Sequence, residues 1–154
     1  MSEENKNQAP AIIINNQYIK DLSLEIPLAP EIFRENVQAP KINLEVDINA
    51  KNLEETYYNV DLNIRINGDF EEKKLFILEL TYSSVVNVNV PKEHVEPVLL
   101  IEIPRLMFPF ARNIVTQCLT EGGLPPFMIN PIDFAAIYAA KKLKEQKTTA
   151  EKEN

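Results

Sequence analysis

The sequence predicts an α+β fold, in which a four-stranded antiparallel sheet is followed by two helices. Apolar and polar residues alternate with a period of two in four segments between Gln17 and Tyr82, which is typical of half-buried strands. After Ser84 the spacing of apolar residues becomes helical, so the helices follow the strands rather than alternating with them. A chain of 154 residues fits a single domain.

The first predicted strand begins near Gln17 and ends before Pro27, because proline cannot donate to a strand ladder. A period of two puts Tyr18, Leu22, Leu24 and Ile26 on one face and Ile19, Asp21, Ser23 and Glu25 on the other. Residues 1–14 are predicted to form a flexible N-terminal segment. The chain from Pro30 to Pro40 is predicted to be an irregular crossing loop.

Three further strands are predicted over residues 41–48, 57–66 and 73–82, each with apolar side chains at alternate positions. The polar stretch 49–56 joins the first two of these as a hairpin. Asn67-Gly68-Asp69 is predicted to be a turn, since Asn and Gly tolerate positive φ. Short connections between consecutive strands favour antiparallel pairing with one face in solvent.

The first predicted helix begins near Leu106, where apolar residues start to recur at helical spacing, and it ends at Gly122-Gly123. Asn130-Pro131 predicts the start of a second helix, with an N-cap followed by proline at the first helical position. The apolar stripe of this second helix runs to about Leu143.

The segments around these helices are predicted to be irregular. Residues 85–90 are ambiguous, and three prolines favour extended chain before the first helix: Pro91, Pro97 and Pro104. Residues 145–154 are predicted to be a flexible C-terminal tail, so the single domain covers residues 15–144. One sheet with two helices makes a thin body, which is expected to cover its remaining apolar surface by oligomerising.

Composition excludes several classes of function. The chain has 23 acidic and 16 basic residues and a net charge of -7, so it repels phosphate backbones and nucleic-acid binding is not expected. No apolar run reaches the roughly 18 residues of a membrane span, so direct membrane insertion is not expected. The polar, acidic start of the chain and its single cysteine predict a cytoplasmic protein.

Catalytic and cofactor chemistry is not predicted. His94 is the only histidine and Cys118 the only cysteine, which is too few for a zinc site. A dyad of these two is conceivable, but a cysteine on an apolar helix stripe is more simply a small core residue. The chain has three glycines and no Gly-rich loop between a strand and a helix, so we expect no phosphate-binding motif and no cofactor.

An acidic surface is the first feature that stands out. Asp21 and Glu25 share one face of the first strand, while Ile77 and Glu79 share the polar face of the fourth. If these strands belong to one sheet, the four side chains form a negative patch with an apolar centre. The alternative is an ordinary solvated sheet face.

An excess of large apolar side chains is the second feature. Leu106, Met107, Phe108 and Phe110 are nearly contiguous, and they cannot all point in one direction at 100° per residue. Some must face a second surface, which could be another subunit, the second helix or a ligand. Core or subunit packing is the commoner reason, although Met and aromatic surfaces are also what promiscuous binding uses.

Three segments resemble the SecB family of bacterial export chaperones. Residues 18–27, YIKDLSLEIP, are similar to its first strand, usually Y-x-K-D-x-S-F-E-x-P. Residues 106–112, LMFPFAR, are similar to its L-F-P-Y/F-A-R helix start, and Asn130-Pro131 with Phe134 match the pattern between its helices. The resemblance covers roughly residues 15–140 in the same order. The crossing loop near Val37 lacks the tryptophan of familiar members.

The resemblance implies a homotetramer, built as a dimer of dimers, that acts without ATP as a holdase for unfolded secretory precursors. It implies docking to the SecA translocation ATPase at positions that match Asp21, Glu25, Ile77 and Glu79. It also implies apolar client grooves, for which our candidates are Val37, Tyr82, Val86, Phe108, Phe110, Phe134, Ile137 and Tyr138. Core or subunit contacts are an alternative role for several of these residues.

Two other functions stay open at this point. A carrier of a small hydrophobic ligand would use the same apolar surface as a closed pocket. A SecB-like chaperone with one dedicated client, such as an antitoxin, would bind that client and few general precursors.

Overall fold

A computed structural model of the chain describes residues 10–34, 39–125 and 127–153. It contains four strands, β1 (Ile12–Glu25), β2 (Lys41–Glu54), β3 (Tyr57–Phe70) and β4 (Lys73–Val88), with a 3-10 turn at Glu31–Phe33 between the first two. The helices are α1 (Lys92–Pro97), α2 (Ile103–Glu121) and α3 (Phe134–Lys152), and a π-helical turn at Val98–Glu102 links the first two. The predicted α+β order of sheet followed by helices is confirmed.

The strands form one antiparallel sheet in the order β1-β4-β3-β2, which is a Greek-key arrangement. Tight turns join β2 to β3 and β3 to β4, and at each turn a glutamate has positive φ, 46° at Glu55 and 55° at Glu71. The predicted turn at residues 67–69 is wrong, because these residues continue β3. Gly68 is needed there since the ring of Phe76 on β4 lies where a Cβ atom would be.

The hydrophobic core lies between the sheet and the helices. The alternating residues of β3 and β4 that face α2 are almost fully buried: Val60, Leu62, Ile64, Ile66, Leu78, Leu80 and Val86. The side of α2 that faces them contributes Met107, Ala111, Val115 and Leu119. The helical spacing recognised in the sequence is therefore the spacing of a core stripe.

Strand β1 differs from its prediction in both extent and alternation. It begins at Ile12, so the predicted boundary after residue 14 falls inside the strand. Bulges interrupt its pairing with β4 near residues 15 and 20, and each bulge shifts the alternation by one residue. Tyr18 therefore shares the solvent-facing side with Asp21, and Ile19 turns toward the helix side with Leu22, opposite to the prediction.

The segment from Lys92 to Arg105 is helical and not extended as predicted. Pro91 and Pro104 occupy positions at which a helix tolerates a missing N–H group, whereas Pro97 lies inside the helical run. Pro91 is the N-cap of α1, Pro97 is its last residue before the π-helical turn, and Pro104 lies in the first turn of α2.

Helix α3 continues to Lys152, beyond the predicted end near Leu143, so residues 145–152 are helical. Side chains along this part bond within the helix: Thr148 and Thr149 donate to the carbonyl groups of Lys144 and Glu145. The Asp133 carboxylate caps the N-terminus by accepting from the Ala136 amide at 3.0 Å. Among the described residues, no helix combines the length and apolar character that crossing a bilayer requires.

Gly68→Ala is expected to lower the free energy of unfolding by about 1–3 kcal/mol, because the added methyl group overlaps the buried Phe76 ring. Chemical denaturation measures this difference. The matched control is Asn67→Ala on the opposite face, for which a much smaller loss is expected. Equal stability of both variants would contradict the close approach of Phe76 to Gly68.

Candidate functional site

The solvent-facing side of the sheet brings the four predicted docking residues together. The register of β1 on β4 places Glu25 opposite Ile77, Ser23 opposite Glu79, and Asp21 opposite Thr81. Directly opposed side chains lie about 5 Å apart, so Asp21, Glu25, Ile77 and Glu79 form one continuous patch. The prediction that they share one face of one sheet is confirmed.

The other two strands extend this negative patch. Glu45 of β2 lies opposite Arg65 of β3, which in turn lies opposite Glu79. One row further along, Asp47 lies opposite Asn63, which pairs with Thr81. We call the surface formed by Asp21, Glu25, Glu45, Asp47, Arg65, Ile77 and Glu79 the acidic face.

Most carboxylates of the acidic face point into solvent. Asp21, Glu25 and Glu45 are exposed, and within the described ranges no basic side chain lies at ion-pair distance from them. Glu79 contacts Arg65 at 3.6 Å, and Asp47 contacts Lys141 of α3 at 3.7 Å. The surface thus offers several uncompensated carboxylates to a cationic partner.

Beside the acidic face, a hydrogen-bonded network joins β1, β3 and β4. The Asp61 carboxylate accepts from the Ser83 hydroxyl at 2.5 Å and from the Asn59 amide at 2.9 Å, and Lys20 lies 3.6 Å away. Tyr18 donates its hydroxyl to Asn59 at 2.8 Å. Tyr18 and Lys20 therefore attach β1 to a network whose centre includes the fully buried Ser83.

These partners also set the protonation of Asp61. Burial by itself raises the pKa of this carboxyl group, but the hydrogen bonds from Ser83 and Asn59 and the charge of Lys20 outweigh it. The pKa of Asp61 is therefore held below its ordinary value of 3.8. Asp61 is ionised at neutral pH and already satisfied internally, unlike its neighbours on the acidic face.

The apolar groove candidates do not form one open groove in the single chain. Tyr82, Val86, Phe108 and Phe134 are buried, and the rings of Phe108 and Phe134 pack edge to face with centroids 5.8 Å apart. Ile137 and Tyr138 are half-buried on α3, and only Phe110 is exposed. Val37 lies outside the described residues. The structure thus brings Phe108 and Phe134 together where α2 meets α3. The role of all these candidates in client binding stays a prediction.

The outer side of α2 carries the exposed apolar residues that the sequence indicated. Leu106 and Phe110 lie one turn apart and are 49% and 54% exposed, while Met107 and Phe108 between them are buried. The four contiguous apolar side chains are therefore divided between the core and a free helix surface.

The cysteine and histidine do not form a reactive site. Burial raises the pKa of the Cys118 thiol, which makes it a poorer nucleophile. His94 is exposed on α1. In the part of the chain that the structure describes, no three His, Cys, Asp or Glu side chains are grouped closely enough to hold a metal ion.

Sequence reasoning missed Glu45, Asp47 and Arg65 as members of the site. Their period-two alternation was evident and placed them on the polar faces of β2 and β3. The order of the strands in the sheet was not evident from the sequence. Only the order β1-β4-β3-β2 shows that these residues lie beside Glu79.

The fold is that of the SecB-like chaperones. It matches the solved structure of a SecB-like chaperone of Mycobacterium tuberculosis in complex with a ChAD peptide from the HigA1 antitoxin, with a TM-score of 0.67. The match covers 79% of this chain and 91% of that one at 11% identity, so it defines the fold alone.

Sequence comparison defines the family. A family model described as preprotein translocase subunit SecB matches residues 5–146. Curated relatives called protein-export protein SecB include one from Rhodospirillum rubrum, 53% identical over 132 residues, which covers 86% of this chain and 82% of that protein. Another, from Paramagnetospirillum magneticum, is 49% identical over 133 residues and covers 86% of each. The chain belongs to the SecB family of protein-export chaperones, which is not a family of enzymes.

Asp61→Asn is expected to lower the free energy of unfolding by about 1 kcal/mol at pH 7, because the hydrogen bonds from Ser83 and Asn59 lose their ionised acceptor. Since the folded-state pKa of Asp61 is lowered, this stabilisation is complete above the ordinary pKa of 3.8. It disappears as the pH falls through the folded-state pKa, so the two proteins converge in acid. Denaturation between pH 7 and pH 2 measures the effect.

The control for this experiment is Asp21→Asn, which changes the same charge on an exposed residue and is expected to alter stability by less than about 0.5 kcal/mol. A constant difference between wild type and Asp61→Asn across the pH range would contradict the role of the ionised carboxylate.

Proposed function

We propose that this protein is an ATP-independent holdase that binds unfolded secretory precursors in the cytoplasm and delivers them to the SecA translocation ATPase. The observation that carries the proposal is the acidic face, at which Asp21, Glu25, Ile77 and Glu79 lie together on an open sheet surface of a SecB-family chain. The proposal includes no nucleic-acid partner, no cofactor and no direct membrane insertion.

Docking to SecA follows from charge and shape. Carboxylates on β1, β2 and β4 create a negative potential, which attracts a basic segment and raises its rate of encounter. Ile77 is half-buried between Glu25 and Asn67, so the patch also offers an apolar contact at its centre. The basic, zinc-containing C-terminal segment of SecA, which family resemblance implies as the partner, has the complementary charge.

Client binding rests on the apolar surface that the single chain leaves uncovered. Ile19 and Leu22 on β1, Leu106 and Phe110 on α2, and Met128 before α3 are all exposed. Burial of such side chains is non-directional and stabilises a complex by roughly 25 cal/mol per Å² before the cost of ordering. A surface of this kind selects unfolded chains because native proteins hide their apolar segments.

Part of the same surface is proposed to hold a homotetramer together as a dimer of dimers. The outer side of α2, with Leu106 and Phe110, suits packing against another copy. Strand β1 is an edge strand with a free backbone ladder on its outer side, and a second copy would protect that edge. Several weak client sites on one assembly would bind a long unfolded chain with avidity.

Calorimetry with cognate SecA tests the docking role. The double variant Glu25→Ala/Glu79→Ala is expected to bind at least about tenfold more weakly, because it removes two central carboxylates. The control Glu93→Ala/Glu121→Ala changes net charge equally but lies on the helices, and it is expected to bind like wild type. Equal binding by both double variants would contradict docking at the acidic face. No binding by the wild type would favour a dedicated client or a ligand carrier.

Light scattering tests the assembly. The wild type is expected at four times its subunit mass of 17.6 kDa, and Leu106→Ser/Phe110→Ser is expected at a lower mass, because the polar side chains weaken contacts through α2. The control Met128→Ser changes an exposed apolar residue outside α2 and is expected to stay tetrameric. A monomeric wild type would overturn the proposed assembly.

A further inference from the structure

We propose that Arg65 is an internal counter-ion of the acidic face, which competes with the cationic partner for Glu79 and limits how tightly that partner binds. The inference rests on the proposed docking role of this face. It assigns to Arg65 an opposing effect on affinity, whereas the carboxylates around it supply the attraction.

The first observation is the position of Arg65 in the sheet. Register places it between Glu79 on β4 and Glu45 on β2, within one row that crosses the sheet. Its Nε atom lies 3.6 Å from the Glu79 carboxylate. Both side chains are about half exposed, so the pair sits at the surface where a partner would approach.

The second observation is what surrounds this row. The neighbouring row holds Asp21 and Asp47 at its two ends, with Thr81 donating to Asn63 at 2.9 Å between them. The row on the other side ends in Glu25. Rows on one face of a sheet are about 7 Å apart and strands about 5 Å apart, so Asp47 lies about 9 Å from Arg65 and Asp21 and Glu25 lie about 12 Å from it. These separations are close to the Debye length of about 8–10 Å, so the charges still interact.

The third observation concerns the other basic groups near this face. Lys20 contacts Asp61 beside the face, Lys74 contacts Asp69 at one end of the sheet, and Lys141 approaches Asp47 from α3. Within the three central rows as described by the structure, Arg65 is the basic residue that the sheet itself contributes.

Competition follows from this arrangement. A cationic side chain that binds Glu79 must displace Arg65 or share the carboxylate with it, and a like charge at this distance repels the incoming group. Asp21, Glu25 and Glu45 have no such internal partner among the described residues, so they offer their full charge. Partner cations are therefore directed to positions around Arg65, and affinity at the centre is reduced.

The test compares wild type with Arg65→Gln by calorimetry, using cognate SecA and a hexalysine peptide as separate probes. Removal of the counter-ion is expected to tighten binding of each probe roughly two- to fivefold, the range of an exposed ion pair. The gain is expected to shrink as salt rises, since exposed charges are screened. Thermal unfolding checks that the variant folds as the wild type does.

The matched control is Lys74→Gln, which removes one positive charge from an ion pair at the end of the same sheet. Lys74 is about 17 Å along β4 from Glu79, so little change in affinity is expected. An equal gain in both variants would show that net charge alone acts and would overturn the proposal. Unchanged or weaker binding by Arg65→Gln would also overturn it.

A double-mutant cycle identifies the pair. If Arg65 acts through Glu79, the gain from Arg65→Gln is expected to fall sharply in a Glu79→Gln background. The two probes separate this inference from the proposed function. Hexalysine binding that tightens while SecA does not bind at all would support the counter-ion and contradict SecA docking. SecA binding that is unchanged by Arg65→Gln would support SecA docking and contradict the counter-ion role of Arg65.

Discussion

The whole molecule depends on the placement of β4 between β1 and β3. This strand is hydrogen-bonded on both sides, and its alternate residues face two environments: Leu78 and Leu80 enter the core, while Glu79 and Thr81 enter solvent. A shift by one residue would bury the carboxylate and expose the leucines, so the core holds the register strongly. The geometry of the acidic face is therefore a consequence of core packing on the opposite side of the sheet.

Carboxylates of the solvent-facing side fall into two groups that differ in their partners. Asp61 accepts hydrogen bonds from Ser83 and Asn59 and pairs with Lys20, so its charge is used to hold β1, β3 and β4 together. Asp21, Glu25 and Glu45 have no comparable internal partners among the described residues and remain open to a ligand. A sheet surface can thus be both a structural element and an acceptor for a cationic segment, because neighbouring residues divide these roles.

The sequence determines much of the fold through periodicity, and its failures have physical causes. Alternation predicted the strands and the faces of Ile77 and Glu79, but it cannot reveal the bulges that reverse Tyr18 and Ile19. Glycine indicated a turn at Gly68, whereas a neighbouring aromatic ring is what requires it there. Strand order results from tertiary packing, so the contribution of β2 to the acidic face could not be predicted from one sequence.

The negative charge of the acidic face lowers the stability of the sheet. Like charges on adjacent strands repel, and each uncompensated carboxylate makes the sheet less stable than a mixed surface would be. Arg65 lies between Glu45 and Glu79 and contacts Glu79, so it relieves part of this repulsion at the expense of attraction toward a partner. Arg65 therefore stabilises the sheet and at the same time lowers the affinity of the acidic face for a cationic segment. Under the proposed docking role, the weaker interaction favours faster release of the partner, since most differences in affinity arise from the rate of dissociation.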